Sequence, residues 1–120
     1  MEAKTRSFST VSEDAIGAYQ EDGVVCLRGM IADKWLDLAR KGIDQNLQYP
    51  GRFFRDHTPA DSLGRYVFEY WSWPDTPEIK KIVLHSPLAQ IAGELIQAQQ
   101  VNMVMDNWFM REAGASNGAP

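Results

Sequence analysis

Apolar residues recur every three or four positions in the segment that follows Asp33. They are Trp35, Leu36, Ala39, Ile43 and Leu47. Because residues at this spacing share one face of an α-helix, the pattern predicts a helix over residues 33–48. Asp33 can cap its start, and Tyr49-Pro50-Gly51 breaks it.

Local start and stop signals predict three more helices. Thr10-Val11-Ser12-Glu13 has the spacing of a capping box and Asp22-Gly23 can end a helix, so a helix is expected over residues 11–21. Thr76-Pro77 and Ser86-Pro87 each place proline at a helix start, which predicts helices over residues 77–84 and 87–97.

Two segments have the character of strands. The β-branched run "VVCLRGMI" predicts a strand over residues 24–28, and the alternation in "VNMVMDNWFMR" predicts one over residues 101–111. The second strand would be apolar on both sides, as in strands packed between two layers. Residues 51–73 have no clear period but are rich in aromatic residues, which either cover a core or line a pocket. The expected fold class is α+β.

Composition narrows the function classes. The chain has 120 residues, 44% of them hydrophobic and 23% charged, which is typical of one modest globular domain. Its net charge of -4, without a sustained basic patch, argues against nucleic acid as a partner. No apolar run approaches the length of a membrane span. Cys26, the single cysteine, is expected to be a small buried hydrophobe, which fits a cytoplasmic protein.

Candidate chemistry is sparse when judged from the residues alone. His57 lies in "RDHTPAD", beside Asp56 and Asp61 but without the His-x-Asp spacing of an iron site, so a polar loop role is favoured. His85 ends a predicted helix, where an imidazolium would complement the helix dipole. There is no nucleophile elbow and no phosphate-binding glycine loop. The residues therefore describe an aromatic-rich α+β piece without a complete catalytic constellation.

Three stretches together resemble a known family. They are "YQEDGVVCLRGMIADKWLDLA", "HSPLAQIAGELIQAQQV" and "DNWFMREAGASNGAP". In order and spacing they are similar to the N-terminal part of the phytanoyl-CoA dioxygenase family, which are non-haem Fe(II), 2-oxoglutarate-dependent oxygenases. The resemblance covers about Ser12 to Pro120.

This resemblance implies a double-stranded β-helix, a jelly-roll or cupin-like fold with helices packed outside. The chain would supply the helical cover and the first strands, truncated before the iron-binding core. The family's His-x-Asp would begin about one residue after Pro120, so no catalytic or metal-ligating residue is expected within this chain. The parent protein would use Fe(II) and 2-oxoglutarate to hydroxylate a small-molecule substrate, whereas this chain alone would bind neither cofactor.

The resemblance also suggests site residues. Asn107 matches a position that commonly contacts 2-oxoglutarate, and Met105 would lie deeper toward the substrate. The aromatic residues Phe109, Phe68 and Trp71 would line the substrate cavity, with Trp73 as a further candidate. For each single aromatic residue, core packing is the competing interpretation.

A second hypothesis belongs to a different class. The chain could be a non-enzymatic binding or interaction module that uses its aromatic patch to hold an apolar ligand or partner, and it would then be a monodisperse folded unit. The oxygenase hypothesis instead predicts an exposed strand edge along residues 101–110, through which copies of the chain could self-associate.

Overall fold

The computed structural model describes residues 10–115, which form two compact units. The first unit contains residues 10–32 and 86–102, and the second contains residues 33–85 and 103–115. The helices are α1 (Glu13–Asp22), α2 (Asp33–Gln48), α3 (Pro77–His85) and α4 (Leu88–Leu95), and the strands are β1 (Phe54–Asp56), β2 (Tyr66–Tyr70) and β3 (Asn107–Arg111). The fold is therefore α+β, and all four predicted helices form within a few residues of their predicted ends.

In the first unit, α1 begins at a different cap from the one predicted. Ser12 is the N-cap, and its Oγ accepts a hydrogen bond from the Ala15 backbone N–H at 3.2 Å. Thr10 instead donates to α4, with 2.9 Å between its Oγ1 and Glu94 Oε2. The helix ends as expected at Gly23, whose φ of 74° suits glycine.

The predicted strand over residues 24–28 does not form, so this prediction is wrong. These residues are irregular, and Val24 is 70% exposed. Cys26 is also exposed, contrary to the expectation of a buried thiol. A β-branched run becomes a strand only when a neighbour supplies ladder hydrogen bonds, and in residues 10–115 none pairs with it.

The second unit contains a three-stranded antiparallel sheet in the order β1-β2-β3. Its core consists of the buried residues Val67, Ile79 and Trp108. Partly buried side chains surround this core, namely Ile43, Leu47, Phe54, Trp73, Val83 and Met110. Because the set combines residues of α2 and α3 with residues of the sheet, one sheet face is packed against these two helices.

The strands differ from the predicted ones in position and number. β1 and β2 come from the aromatic segment that had no clear period, and β3 begins only at Asn107, so the predicted strand over residues 101–111 is too long. Just before β3, the Asp106 carboxylate accepts hydrogen bonds from the turn that follows β2. Residues 101–106 are irregular.

Among residues 10–115, no helix is both long and apolar enough to cross a bilayer.

Candidate functional site

The sheet face opposite α2 and α3 is rich in aromatic side chains. Because paired residues of neighbouring strands point to the same side, the register groups these residues on it: Tyr66, Phe68, Tyr70, Asn107, Phe109 and Arg111. We call this surface the aromatic sheet face. Val67 and Trp108 point the other way, into the core.

Three of the residues suggested by the sequence meet on the aromatic sheet face. Phe68 lies directly opposite Phe109, with 5.5 Å between their ring centroids, and Asn107 is the next same-face residue along β3. Phe109 is 62% exposed. His57, for which the sequence favoured a polar loop role, follows β1 in a loop and is exposed, and its ring stacks on Phe68 with 5.1 Å between centroids.

The other suggested residues lie elsewhere. Met105 precedes β3 and is half exposed outside the sheet. Trp73 packs against the buried core, which matches the competing interpretation of core packing. Trp71 follows β2 in a turn and is 50% exposed, so it does not belong to the aromatic sheet face.

The turn at Trp71 has an unusual backbone. Trp71 has a φ of 57°, a conformation that bulky side chains rarely adopt and that costs on the order of 1–3 kcal/mol. Asp106 holds this turn: its carboxylate accepts hydrogen bonds from Ser72 Oγ at 2.6 Å and from the Trp73 backbone N–H at 2.9 Å. The Asp106 carbonyl accepts a third bond from the Trp71 backbone N–H at 3.0 Å.

A cleft of about 640 Å³ lies beside this turn, and we call it the Trp71 cleft. Its wall is formed by the end of α2, the loop after α2, the end of β2, the turn and the start of α3. The wall includes three aromatic side chains, those of Tyr49, Phe53 and Trp71. It also includes three carboxylates and one guanidinium, those of Glu69, Asp75, Glu78 and Arg52.

Glu69 is the most unusual residue of the cleft wall. It is only 2% exposed, and the backbone N–H of Gly51 donates a hydrogen bond to its carboxylate. A Cβ at position 51 would overlap Glu69 Oε1, so glycine allows this approach without a shift of the carboxylate. Glu69 Oε2 has no hydrogen-bond partner among residues 10–115. Burial raises the pKa of Glu69 above its ordinary value, and the nearby charges of Asp106 and Asp75 add to this shift.

Two further polar groups of the wall are incompletely paired. Asn46 is 5% exposed, and its Oδ1 accepts a hydrogen bond from Thr76 Oγ1 at 2.8 Å. Its Nδ2, like Glu78 Oε2, has no partner within residues 10–115. Unpaired buried polar atoms are costly, so their concentration beside one cleft marks it as a candidate binding site.

The sequence analysis missed the Trp71 cleft. Its signal was Glu69 in the run "YVFEY", where strand alternation puts this carboxylate on the same face as the buried Val67. This alternation is recognisable only if residues 66–70 are identified as a strand, and the many aromatic residues of the surrounding segment hide the strand period.

The raised pKa of Glu69 leads to a measurable pH dependence. The folded protein binds the proton of the Glu69 carboxyl more tightly than the unfolded chain does. The resulting stabilisation of the folded state is fully present below about pH 4.5 and is lost as the pH rises through the folded-state pKa of Glu69. Glu69→Gln removes this dependence. We therefore expect the variant to gain in free energy of unfolding relative to wild type as the pH rises, measured by urea unfolding at a series of pH values.

Glu112→Gln is a control of opposite sign for this experiment. Hydrogen bonds from the Arg65 side chain and backbone lower the pKa of Glu112, so its contribution is present above the ordinary pKa and is lost as the pH falls through the folded-state value. Parallel pH curves for wild type and Glu69→Gln would contradict the assignment of Glu69 as a destabilised buried carboxylate.

Among residues 10–115, no three side chains of His, Cys, Asp or Glu are placed so that they could hold a metal ion.

Comparison with known proteins adds no relative. No protein-family model, no curated protein and no solved structure matches this chain significantly.

Proposed function

We propose that this chain forms the helical cover and the first strands of an Fe(II)/2-oxoglutarate-dependent oxygenase that hydroxylates a small molecule. Two independent features support the proposal: the resemblance of three stretches to the phytanoyl-CoA dioxygenase family, and the one-sided packing of the sheet. In a double-stranded β-helix the outer sheet face packs on helices and the inner face lines the cavity. The main structural support is that Asn107, Phe109 and Phe68 share the sheet face opposite α2 and α3.

In this proposal each residue has a simple physical role. The Asn107 amide would hydrogen-bond 2-oxoglutarate, and Phe68 and Phe109 would form the apolar wall of the substrate cavity. Met105, which lies just before β3, would border the same cavity. The protein would work in the cytoplasm, and β3, whose outer edge has no partner strand among residues 10–115, would be a site of self-association.

The described residues do not themselves fit an iron centre, because they contain no suitable ligand set. The proposal therefore assigns the iron ligands to positions outside residues 10–115, and no catalytic step is attributed to the residues described. Fe(II) and 2-oxoglutarate would be cofactors of the parent protein.

The test is anaerobic titration with Fe(II) and 2-oxoglutarate, followed by the charge-transfer absorption that a chelated 2-oxoglutarate gives on iron. We expect no band with these 120 residues alone and a band with any longer product of the same gene. In the longer product, Asn107→Ala should weaken 2-oxoglutarate binding by about tenfold, as expected for losing a hydrogen bond to a charged group.

Asn102→Ala is the matched control, since Asn102 is an exposed asparagine outside the sheet. A band from the 120 residues would contradict the placement of the ligands. A longer product that binds neither Fe(II) nor 2-oxoglutarate would contradict the oxygenase itself.

A second candidate function is a non-enzymatic binding module. The specific observation in its favour is the Trp71 cleft, where the buried Glu69 and Asn46 have unpaired polar atoms beside aromatic side chains. A module of this kind would bind its ligand without iron or 2-oxoglutarate.

A further inference from the structure

The Trp71 cleft combines negative charge with aromatic surface. Three carboxylates and only one guanidinium contribute to its wall, and the Asp106 carboxylate adds to the negative potential felt by Glu69. Lys41 faces Glu78, but its Nζ lies 4.0 Å from Glu78 Oε1 and its side chain is largely exposed, so screening by solvent weakens this pair. The cleft is therefore short of positive charge.

The aromatic residues of the wall are suited to a cation. The rings of Phe53 and Trp71 stack with 6.1 Å between centroids, and Trp71 is half exposed beside the cleft. The Arg52 guanidinium already lies 5.2 Å from the centroid of the Phe53 ring. Ring faces attract cations electrostatically, and the attraction is strongest for tryptophan.

The buried polar atoms define what the ligand must offer. Glu69 is almost completely buried, yet its Oε2 lacks a hydrogen-bond donor among residues 10–115. Asn46 Nδ2 lacks an acceptor. A ligand with an N–H donor at its charged end would satisfy Glu69 Oε2, and an acceptor elsewhere on the ligand would in addition satisfy Asn46 Nδ2.

From these observations we propose that the Trp71 cleft binds a protonated amine, with the ammonium directed to Glu69 and the carbon body against Trp71 and Phe53. An organic cation fits better than a metal ion, because the described residues contain no metal-holding group and the cleft is wide and aromatic. Glu69 Oε2 is buried, so the ammonium reaches it only if the wall moves slightly, and the environment of Trp71 should change on binding.

The experiment titrates the full chain at neutral pH with butylamine, which is protonated there, and in parallel with 1-butanol, its neutral counterpart. Binding is followed by amide and indole NMR shifts and by tryptophan fluorescence. We expect butylammonium to bind at least about tenfold more tightly than 1-butanol, with shifts at Trp71 and Gly51. Glu69→Gln and Trp71→Leu should each weaken butylammonium binding by about tenfold.

Trp35→Leu is the control matched to Trp71→Leu, because Trp35 lies near the start of α2 and does not line the cleft. It should leave butylammonium affinity unchanged. Circular dichroism of each variant establishes that it is folded, and Glu69→Gln is not expected to unfold the protein because it removes a destabilised charge. Equal affinity for butylammonium and 1-butanol, no binding of either, or an unchanged affinity in folded Glu69→Gln would each overturn the proposal. None of these results bears on Fe(II) or 2-oxoglutarate binding, so the two proposals fail separately.

Discussion

Replacing Trp108 with alanine is expected to lower the free energy of unfolding by about 3–5 kcal/mol, the usual cost of truncating a buried tryptophan. Trp108 is 7% exposed and joins Val67 and Ile79 in the buried core, with the Phe54 ring 6.2 Å away. The total free energy of unfolding of a small domain is only about 5–15 kcal/mol. Urea unfolding followed by far-ultraviolet circular dichroism should therefore show the midpoint moving strongly to lower concentration.

Phe109→Ala is the matched comparison for this experiment. Phe109 is the next residue on the same strand, but it points to the opposite face and is 62% exposed. Its truncation should cost less than about 1 kcal/mol, because little buried area is lost. If the two variants were destabilised equally, the assignment of the core to the α2 and α3 side of the sheet would be wrong.

Asp106→Ala is expected to cause the second large loss, about 2–4 kcal/mol. The substitution removes the acceptor of Ser72 Oγ and of the Ser72 and Trp73 backbone N–H groups, and hydrogen bonds to charged groups contribute about 1.5–3 kcal/mol each with incomplete additivity. Without these bonds the backbone hydrogen bond from the Trp71 N–H to the Asp106 carbonyl remains, but the side-chain support of the positive φ at Trp71 is lost. Urea unfolding gives the energy, and iodide quenching of tryptophan fluorescence reports the loosened turn.

Asp106→Asn separates the turn from general effects of the substitution. Its side chain has one carbonyl oxygen in place of two carboxylate oxygens, so it can retain part of the hydrogen bonding. The loss of stability should lie between wild type and Asp106→Ala. A full loss in Asp106→Asn together with unchanged quenching in Asp106→Ala would contradict the role of Asp106 as the support of this turn.

The helices were predictable because their signals are local. The spacing of apolar residues gave α2 with both ends correct, and the Thr-Pro dipeptide gave the start of α3. Pairing is not a local property, and this is why the strands were harder. The run at residues 24–28 has strand composition but no partner, whereas β2 was hidden in an aromatic segment and is defined by its neighbours β1 and β3.

The candidate sites show the same division. Asn107 and Phe109 alternate along one segment, so their common face could be predicted once a strand was assumed. The Trp71 cleft brings Asn46 of α2 together with Glu69 of β2 and Glu78 of α3. No local pattern predicts this grouping, because it depends on how α2 and α3 pack on the sheet. Two single residues leave a trace in the sequence: Glu69 in the run "YVFEY", and the glycine at position 51, which lies against the Glu69 carboxylate.

The sheet order has a consequence for synthesis on the ribosome. β2 is made long before β3, and the intervening chain includes all of α3 and α4. Until Trp108 emerges from the exit tunnel, Val67 lacks one of its principal neighbours and the inner strand has an open edge. A nascent polypeptide paused before residue 107 would therefore expose an unpaired strand edge and apolar side chains to chaperones, and the sheet would be completed only after β3 has been synthesised.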